Sequence, residues 1–437
     1  MSKRGNHHVT GFAPAIVVLS AALLWPAWGA ELPADTIVGT PSDQPFLGDD
    51  PSVTVVLDRA GALTRRAEAE QKYPNITGQG YTVAIIDTGV DSNHPALAGR
   101  YVGGYDYYNG DSNPDDDNGH GTHVAGIVLS SDANYRGVAP GASYAVLKVL
   151  SSSGNGSLST VDKGLKWVID HRIEYNIVAV NLSIGGSTSY NSHHSDVLST
   201  NLQTLKEAGV FITAASGNSW YNHQPNEGVT YPAADASAVA VGDVYSGDFN
   251  SVTWSSGAKD YTTAADRIVS HCDRSRTMLD LFAPGALITS ANYAWEGNSP
   301  DWTVRGGTSM AAAEVTGLAV LLRQAIEENW QPSRWPSGAG WQDTILDIMK
   351  RTGTTIRDGD DEDDNVTNLN YDFKRIDVLA ALDYAVPEPA SMLLLGTGAC
   401  VLLRRRRGVR GRQRSQRQTP QRIGFGERRV PGKSGLT

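Results

Sequence analysis

The chain has 437 residues, 46 of them glycine, with 40% hydrophobic residues and a formal charge of -10. That composition suffices for a sizeable core and excludes global disorder. Two cysteines, Cys272 and Cys400, exclude a disulfide framework; residues 404–437 carry 12 Lys/Arg against one acid, leaving a body of net charge -21 that argues against nucleic-acid binding.

The N-terminus opens with Lys3 and Arg4, an apolar stretch "APAIVVLSAALLWPAW", and small residues in "AWGAELPA". That order predicts a cleavable export signal over residues 1–30, since the apolar stretch is short for a membrane span and broken by Pro26. Residues 31–62, rich in Pro, Asp and Gly, read as a linker or short pro-segment. "LTRRAEAEQKYPN" (Leu63–Asn75) predicts a helix stopped by Pro74. Five apolar runs then read as buried strands: Tyr81–Asp87, Tyr144–Leu150, Asn176–Ser183, Val210–Ser216 and Ala238–Val244. Between several of them lie helical patterns, "HGTHVAGIVLSS", "TVDKGLKWVIDHRIEYN" and "DVLSTNLQTLKEAG". Such alternation predicts an α/β fold, a mostly parallel central sheet with helices on both faces, and functional residues at the carboxyl ends of strands.

Three stretches stand out at those ends. "AIIDTGVDSNHP" puts Asp87 at the end of the first strand, "NGHGTHVAGI" puts His120 at a helix start, and "GGTSMAAAEV" puts Ser309 at another. A second Asp-Thr-Gly triplet, which an aspartic protease needs, is missing, and the His120/His123 pair lacks a His-Glu-x-x-His context or a third metal ligand. A serine hydroxyl is a poor nucleophile and needs a base; histidine titrates near neutrality, and an aspartate can fix its tautomer.

In order and wording these motifs resemble the subtilisin-like serine proteases, the subtilase family, over about Leu63 to Ala385. The resemblance implies a subtilisin-like fold and an Asp87, His120, Ser309 triad acting through an acyl-enzyme. It also implies that Asn218, in "AASGNSW", donates to the oxyanion together with the Ser309 N–H. "SSSGNGS" (Ser151–Ser157) and "NLSIGG" (Asn181–Gly186) match the two family segments that flank an extended peptide. Ser183 and Gly185 would then offer main-chain hydrogen bonds, and Gly154 and Ile184 would line apolar subsites. "YDYYNGDSNPDDDNGHG" (Tyr105–Gly119) resembles a calcium loop of thermitase-like members, with Asp106, Asp111, Asn113 and Asp115 on its ligand positions. Calcium there would be structural, and the chemistry itself is expected to need no cofactor. The other acidic run, "RDGDDEDDN" (Arg357–Asn365), reads as a solvated charge run.

Three departures accompany the resemblance. Ala313 and Glu314 stand where the family usually has Pro and His, and Ser216 stands where alanine is common. The segment before the first catalytic strand is too short for a complete inhibitory pro-domain of the usual kind. "VPEPASMLLLGTGACVLLRRRR" (Val386–Arg407) resembles the PEP-CTERM sorting signal of exported bacterial proteins, processed by exosortase-type enzymes, and implies transient membrane association. Residues 408–437 then read as a basic, disordered tail. The expectation is an exported endopeptidase of the bacterial envelope or exterior, a monomer acting on protein or peptide substrates. The rival expectation is a non-catalytic surface or matrix protein on the same scaffold.

Overall fold

A computed structural model describes residues 36–38 (backbone only), 59–293, 301–359 and 361–386. The expected signal peptide, the basic tail and all but Val386 of the sorting segment lie outside these residues. The architecture is a nine-stranded sheet. Its strands, in chain order, are β1 (Thr82–Asp87), β2 (Tyr101–Asp106), β3 (Ser143–Lys148), β4 (Ile177–Leu182), β5 (Phe211–Ala215), β6 (Val239–Val244), β7 (Leu281–Pro284), β8 (Thr354–Asp358) and β9 (Tyr371–Arg375). In space they run β8-β9-β7-β6-β5-β4-β1-β3-β2. All neighbours are parallel except the edge pair β8/β9.

The main helices are α1 (His120–Leu129), α2 (Leu158–His171), α3 (Ser199–Glu207), α4 (Thr308–Asn329), α5 (Gly340–Thr352) and α6 (Val378–Ala385). Alternation along β1 divides the core: Val83 and Ile85 pack with α1, α4, α5 and α6, whereas Ala84 and Ile86 pack with α2 and α3. Both faces of the parallel sheet are thus covered, which is why its strands read as continuous apolar runs. The α4 helix is apolar on every side because it lies inside the molecule rather than on it.

The predicted helix at 63–75 is two helices, Arg59–Leu63 and Arg66–Lys72. The break sits at Arg65, whose φ of 57° is left-handed. Its guanidinium makes two bonds to Asp377 Oδ2, at 2.9 and 2.7 Å, tying this end of the domain to the N-cap of α6. The run 357–365 is solvated only in part, at Arg357, Asp361 and Asp363. Asp358 is fully buried against Arg274, and Asp363–Asp364 form a strand that joins Val252–Thr253 and Lys259–Thr262 in a small sheet. A long connection after β6 supplies that platform and gives the acids partners.

Chain order reverses direction at β1. The next two strands go to one side of it and β4 goes to the other. A crevice therefore opens at the carboxyl end of β1, where parallel α/β sheets hold their ligands.

Candidate active site

Asp87 is the last residue of β1 and is fully buried. Its Oδ1 accepts the Thr88 N–H at 2.7 Å and lies 2.7 Å from His120 Nδ1. A carboxylate there requires the proton on Nδ1, which leaves the Nε2 lone pair free to act as a base. His120 begins α1 and is 4% exposed; its Nε2 is buried with no hydrogen-bond partner. Thr88, inside the first motif, and Asp116, outside all three, hold this pair. The Thr88 hydroxyl donates to Asp116 Oδ1 at 2.9 Å and accepts the Gly121 N–H at 2.9 Å. Asp116 Oδ2 accepts from the Thr122 N–H and hydroxyl at 2.9 and 2.6 Å. A polar residue spaced like a capping group just before α1 was the available signal for Asp116. His123 serves packing: its Nε2 donates to Ile288 O at 3.0 Å, and burial pushes its pKa well below the usual histidine range.

Ser309 lies in the first turn of α4, at the positive end of the helix dipole. Its hydroxyl donates to Ser183 O at 3.3 Å, and the Ser183 hydroxyl donates back to Ser309 O at 2.8 Å. Asn181 and Thr316 continue that buried chain, with Asn181 Nδ2 to Ser183 Oγ at 2.8 Å and Thr316 Oγ1 to Asn181 Oδ1 at 2.9 Å. This fastens the end of β4 to α4. Ser309 is fully buried in this conformation.

Asn218 follows β5, and its Oδ1 accepts the Thr308 N–H at 3.0 Å and the Thr308 hydroxyl at 2.9 Å. With its oxygen held there, Nδ2 is buried and has no hydrogen-bond partner among the described residues. An unspent donor beside the first turn of α4 is suited to stabilising a developing oxyanion. The backbone shape that permits this comes from Gly307, with φ of 140°; a Cβ there would stand 2.8 Å from Asn218 Nδ2. That φ/ψ combination is nearly exclusive to glycine.

The two expected peptide-flanking segments lie at the ends of β3 and β4. Gly154, at φ 77°, sits in a turn closed by its N–H to Ser151 O at 2.8 Å. The following residues Asn155–Ser157 form an edge strand already paired antiparallel with Thr36–Val38, in the register Thr36 to Ser157, Ile37 to Gly156 and Val38 to Asn155. Ser183 engages Ser309 as described, and Gly185 is buried beside it. Ile184 is fully buried within the core that packs α2 and α3, so in this conformation it lines no open subsite.

Two of the expected calcium ligands are engaged within their own loop. Asp106 Oδ1 accepts from the N–H groups of Tyr108 and Asn109 and Oδ2 from Asn109 Nδ2, while Asp111 Oδ1 accepts the Asn113 N–H at 2.8 Å. Among the described residues no group of three or more His, Cys, Asp or Glu is placed to hold a metal ion. Short side chains in a tight loop satisfy backbone donors in this way.

Glu314 is buried, and it lines a cleft with Arg59 and Arg136 that contains none of Asp87, His120 or Ser309.

A family profile described as the subtilase family matches residues 78–370, and one described as the PEP-CTERM protein-sorting motif matches residues 385–407. Among curated proteins, thermitase of Thermoactinomyces vulgaris is 33% identical over 261 residues, 59% of this chain and 80% of thermitase. Serine protease AprX of Bacillus subtilis is 31% identical over 297 residues, covering 62% of this chain and 63% of AprX. Subtilisin E of the same organism is 34% identical over 261 residues, covering 57% of this chain and 58% of that protein. The chain thus spans less than two thirds of the last two relatives. A crystal structure of a cold adapted subtilisin-like serine proteinase aligns with 32% identity and a TM-score of 0.49, over 64% of this chain and 84% of that one.

Proposed function

Because the chain belongs to the subtilase family, we propose that it is an exported serine endopeptidase whose nucleophile is Ser309. His120 Nε2 takes the Ser309 proton as the hydroxyl attacks the substrate carbonyl carbon. Asp87 holds the tautomer and stabilises the imidazolium that forms. The tetrahedral oxyanion accepts from Asn218 Nδ2 and the Ser309 N–H. His120 then protonates the leaving amine, giving an acyl-enzyme, and the same residues activate water to release it.

The observation that supports this reading is the buried Asp87–His120 bond, together with a buried Asn218 Nδ2 at the first turn of α4 that has no hydrogen-bond partner among the described residues. The substrate is expected to be an extended peptide paired along Asn155–Ser157 and Ser183–Gly185. On the first edge it takes the place of Thr36–Val38. The sorting motif points to an exported protein. We place the signal peptide at 1–30, the linker at 31–62, the peptidase domain at 63–385, the sorting segment, processed by an exosortase-type enzyme, at 386–407, and the basic tail at 408–437. The enzyme acts as a monomer, and no step of its mechanism is routed through calcium.

The test uses the full chain and its Ser309→Ala variant. Fluorophosphonate labelling and casein cleavage should both occur and both vanish in the variant. A folded protein that neither labels nor cleaves would favour the non-catalytic scaffold.

A further inference from the structure

Behind Asn218 lies a half-buried ion pair that no motif contains. Asp273 is fully buried in the loop between β6 and β7. It holds both ends of the turn that carries Asn218. The Asp273 N–H donates to Gly217 O at 2.9 Å, and the Ser219 N–H donates to Asp273 Oδ1 at 3.1 Å. The carboxylate is pressed so close to the turn that a Cβ on Gly217 (φ 115°) would collide with Asp273 Oδ2; that oxygen is itself buried with no hydrogen-bond partner.

His223 supplies the counter-charge. Its Nδ1 faces Asn226 O at 2.9 Å and its Nε2 faces Asp273 Oδ1 at 2.8 Å. A carbonyl only accepts, so Nδ1 carries a proton. Nε2 faces a carboxylate, so both ring nitrogens donate and the ring is an imidazolium. The His223 side chain remains 22% exposed, which lets it exchange protons with solvent.

We propose that the His223–Asp273 pair is a positioning device for the oxyanion side of the site, holding the Gly217–Ser219 turn so that Asn218 Nδ2 meets the developing negative charge. The proposal rests on the reading of Ser309 as nucleophile and Asn218 as oxyanion donor. It makes that geometry depend on pH. The Asp273 contact raises the pKa of His223 despite its partial burial, and burial raises that of Asp273. A histidine so raised keeps its clamp below the ordinary histidine range and loses it as pH rises through the higher value. The other charged groups around the pair are already matched. His271 is bound to Asp243, Arg274 to Asp358, and Glu227 to Arg276, while Asp364 lies near Arg274.

The first test needs no activity. In the full-length Ser309→Ala protein labelled with 15N-histidine and 15N-asparagine, both His223 ring nitrogens should be protonated at neutral pH. The Asn218 side-chain amide signals should move with the same alkaline midpoint as the ring. Asn218 signals that ignore the His223 titration would overturn the proposal. The second test is kinetic: His223→Ala should lower kcat by about 10–100-fold, a fraction of what complete loss of an oxyanion donor costs, with KM changed less than roughly threefold. His223→Gln, which keeps a donor to Asp273 but cannot titrate there, should recover most of kcat and lack the His223-dependent alkaline limb. A kcat within roughly threefold of wild type at every pH in His223→Ala would likewise refute the proposal. Absence of any Ser309-dependent turnover in the wild type would instead refute the proposed function, and the spectroscopic test would still decide the role of the pair.

Discussion

Replacing Asp358 by alanine should be among the most damaging single changes available to this fold. Asp358 and Arg274 are both fully buried and meet at 2.7 Å. Arg274 also donates to Val269 O at 2.8 Å and Cys272 O at 3.1 Å, and its guanidinium lies 5.2 Å from the centre of the Trp220 ring. Asp358 Oδ2 in turn accepts the Leu369 N–H at 2.6 Å. Asp358→Ala removes the carboxylate bonded to a buried cation, leaving it two carbonyls, an aromatic face and the more distant Asp364, and strands the Leu369 N–H. Breaking a buried pair in this way costs roughly 3–5 kcal/mol. For a folded body of roughly 320 residues the entropy of unfolding is about 0.7 kcal/mol per K, so Tm should fall by about 4–7 °C. The assay is a calorimetric melt in the Ser309→Ala background, which suppresses autolysis. The paired replacement Arg274→Met with Asp358→Leu removes both charges and should recover much of the loss. An Asp358→Ala melt within about 1 °C of its parent would show that the pair contributes nothing net, and the reasoning would fail.

Gly307→Ala should abolish most turnover in a protein that still folds, because the new Cβ meets Asn218 Nδ2 and the φ of 140° disfavours alanine; wild-type kcat with an unchanged melt would contradict this. Asp87→Asn should lower kcat by about 10⁴-fold, the loss found when the aspartate of other such triads is replaced, and labelling rates at matched pH will check it. Burial lifts the Asp364 carboxyl to about 6. An acid raised in this way binds its proton more tightly when folded, so its stabilising contribution is present below the ordinary carboxylate value and is lost as pH rises from there through about 6. Asp364→Asn should therefore stabilise near pH 8 by on the order of 1 kcal/mol, after discounting for partial exposure, and by much less near pH 4; equal effects at both pH values would count against it.

The parallel strands were legible because they depend on local information. Continuous apolar runs such as Val83–Ile86 declare a sheet covered on both faces, Asp87 ends that run, and His120 and Ser309 open the helices that the small-residue motifs announced. The second layer was not legible. Asp273 and His223 lie 50 positions apart, and only the fold of the connection after β6 brings them together behind Asn218. The acidic run at 357–365 misled for the same reason, since the partner that buries Asp358 is 84 positions away. In the 105–119 loop Asp106 and Asp111 have the right chemistry for a cation, and nothing in the sequence signalled that nearby backbone N–H groups engage their oxygens. Nor could any periodicity have signalled that Thr36–Val38 would pair with Asn155–Ser157.

The burial of α4 also bears on how such a protein leaves the cell. Within the fold this helix is long and apolar enough to cross a membrane, and nearly all of it is enclosed by the rest of the domain. A chain threaded outward before folding presents the same 22 residues to a translocation channel with nothing around them. Glu314 and Arg323 are the charges that interrupt the apolar stretch, and a charged residue deep in a membrane-inserted helix costs roughly 2.5–3.5 kcal/mol. If the chain is threaded outward before it folds, Glu314 would oppose the arrest in the membrane of the helix that bears Ser309.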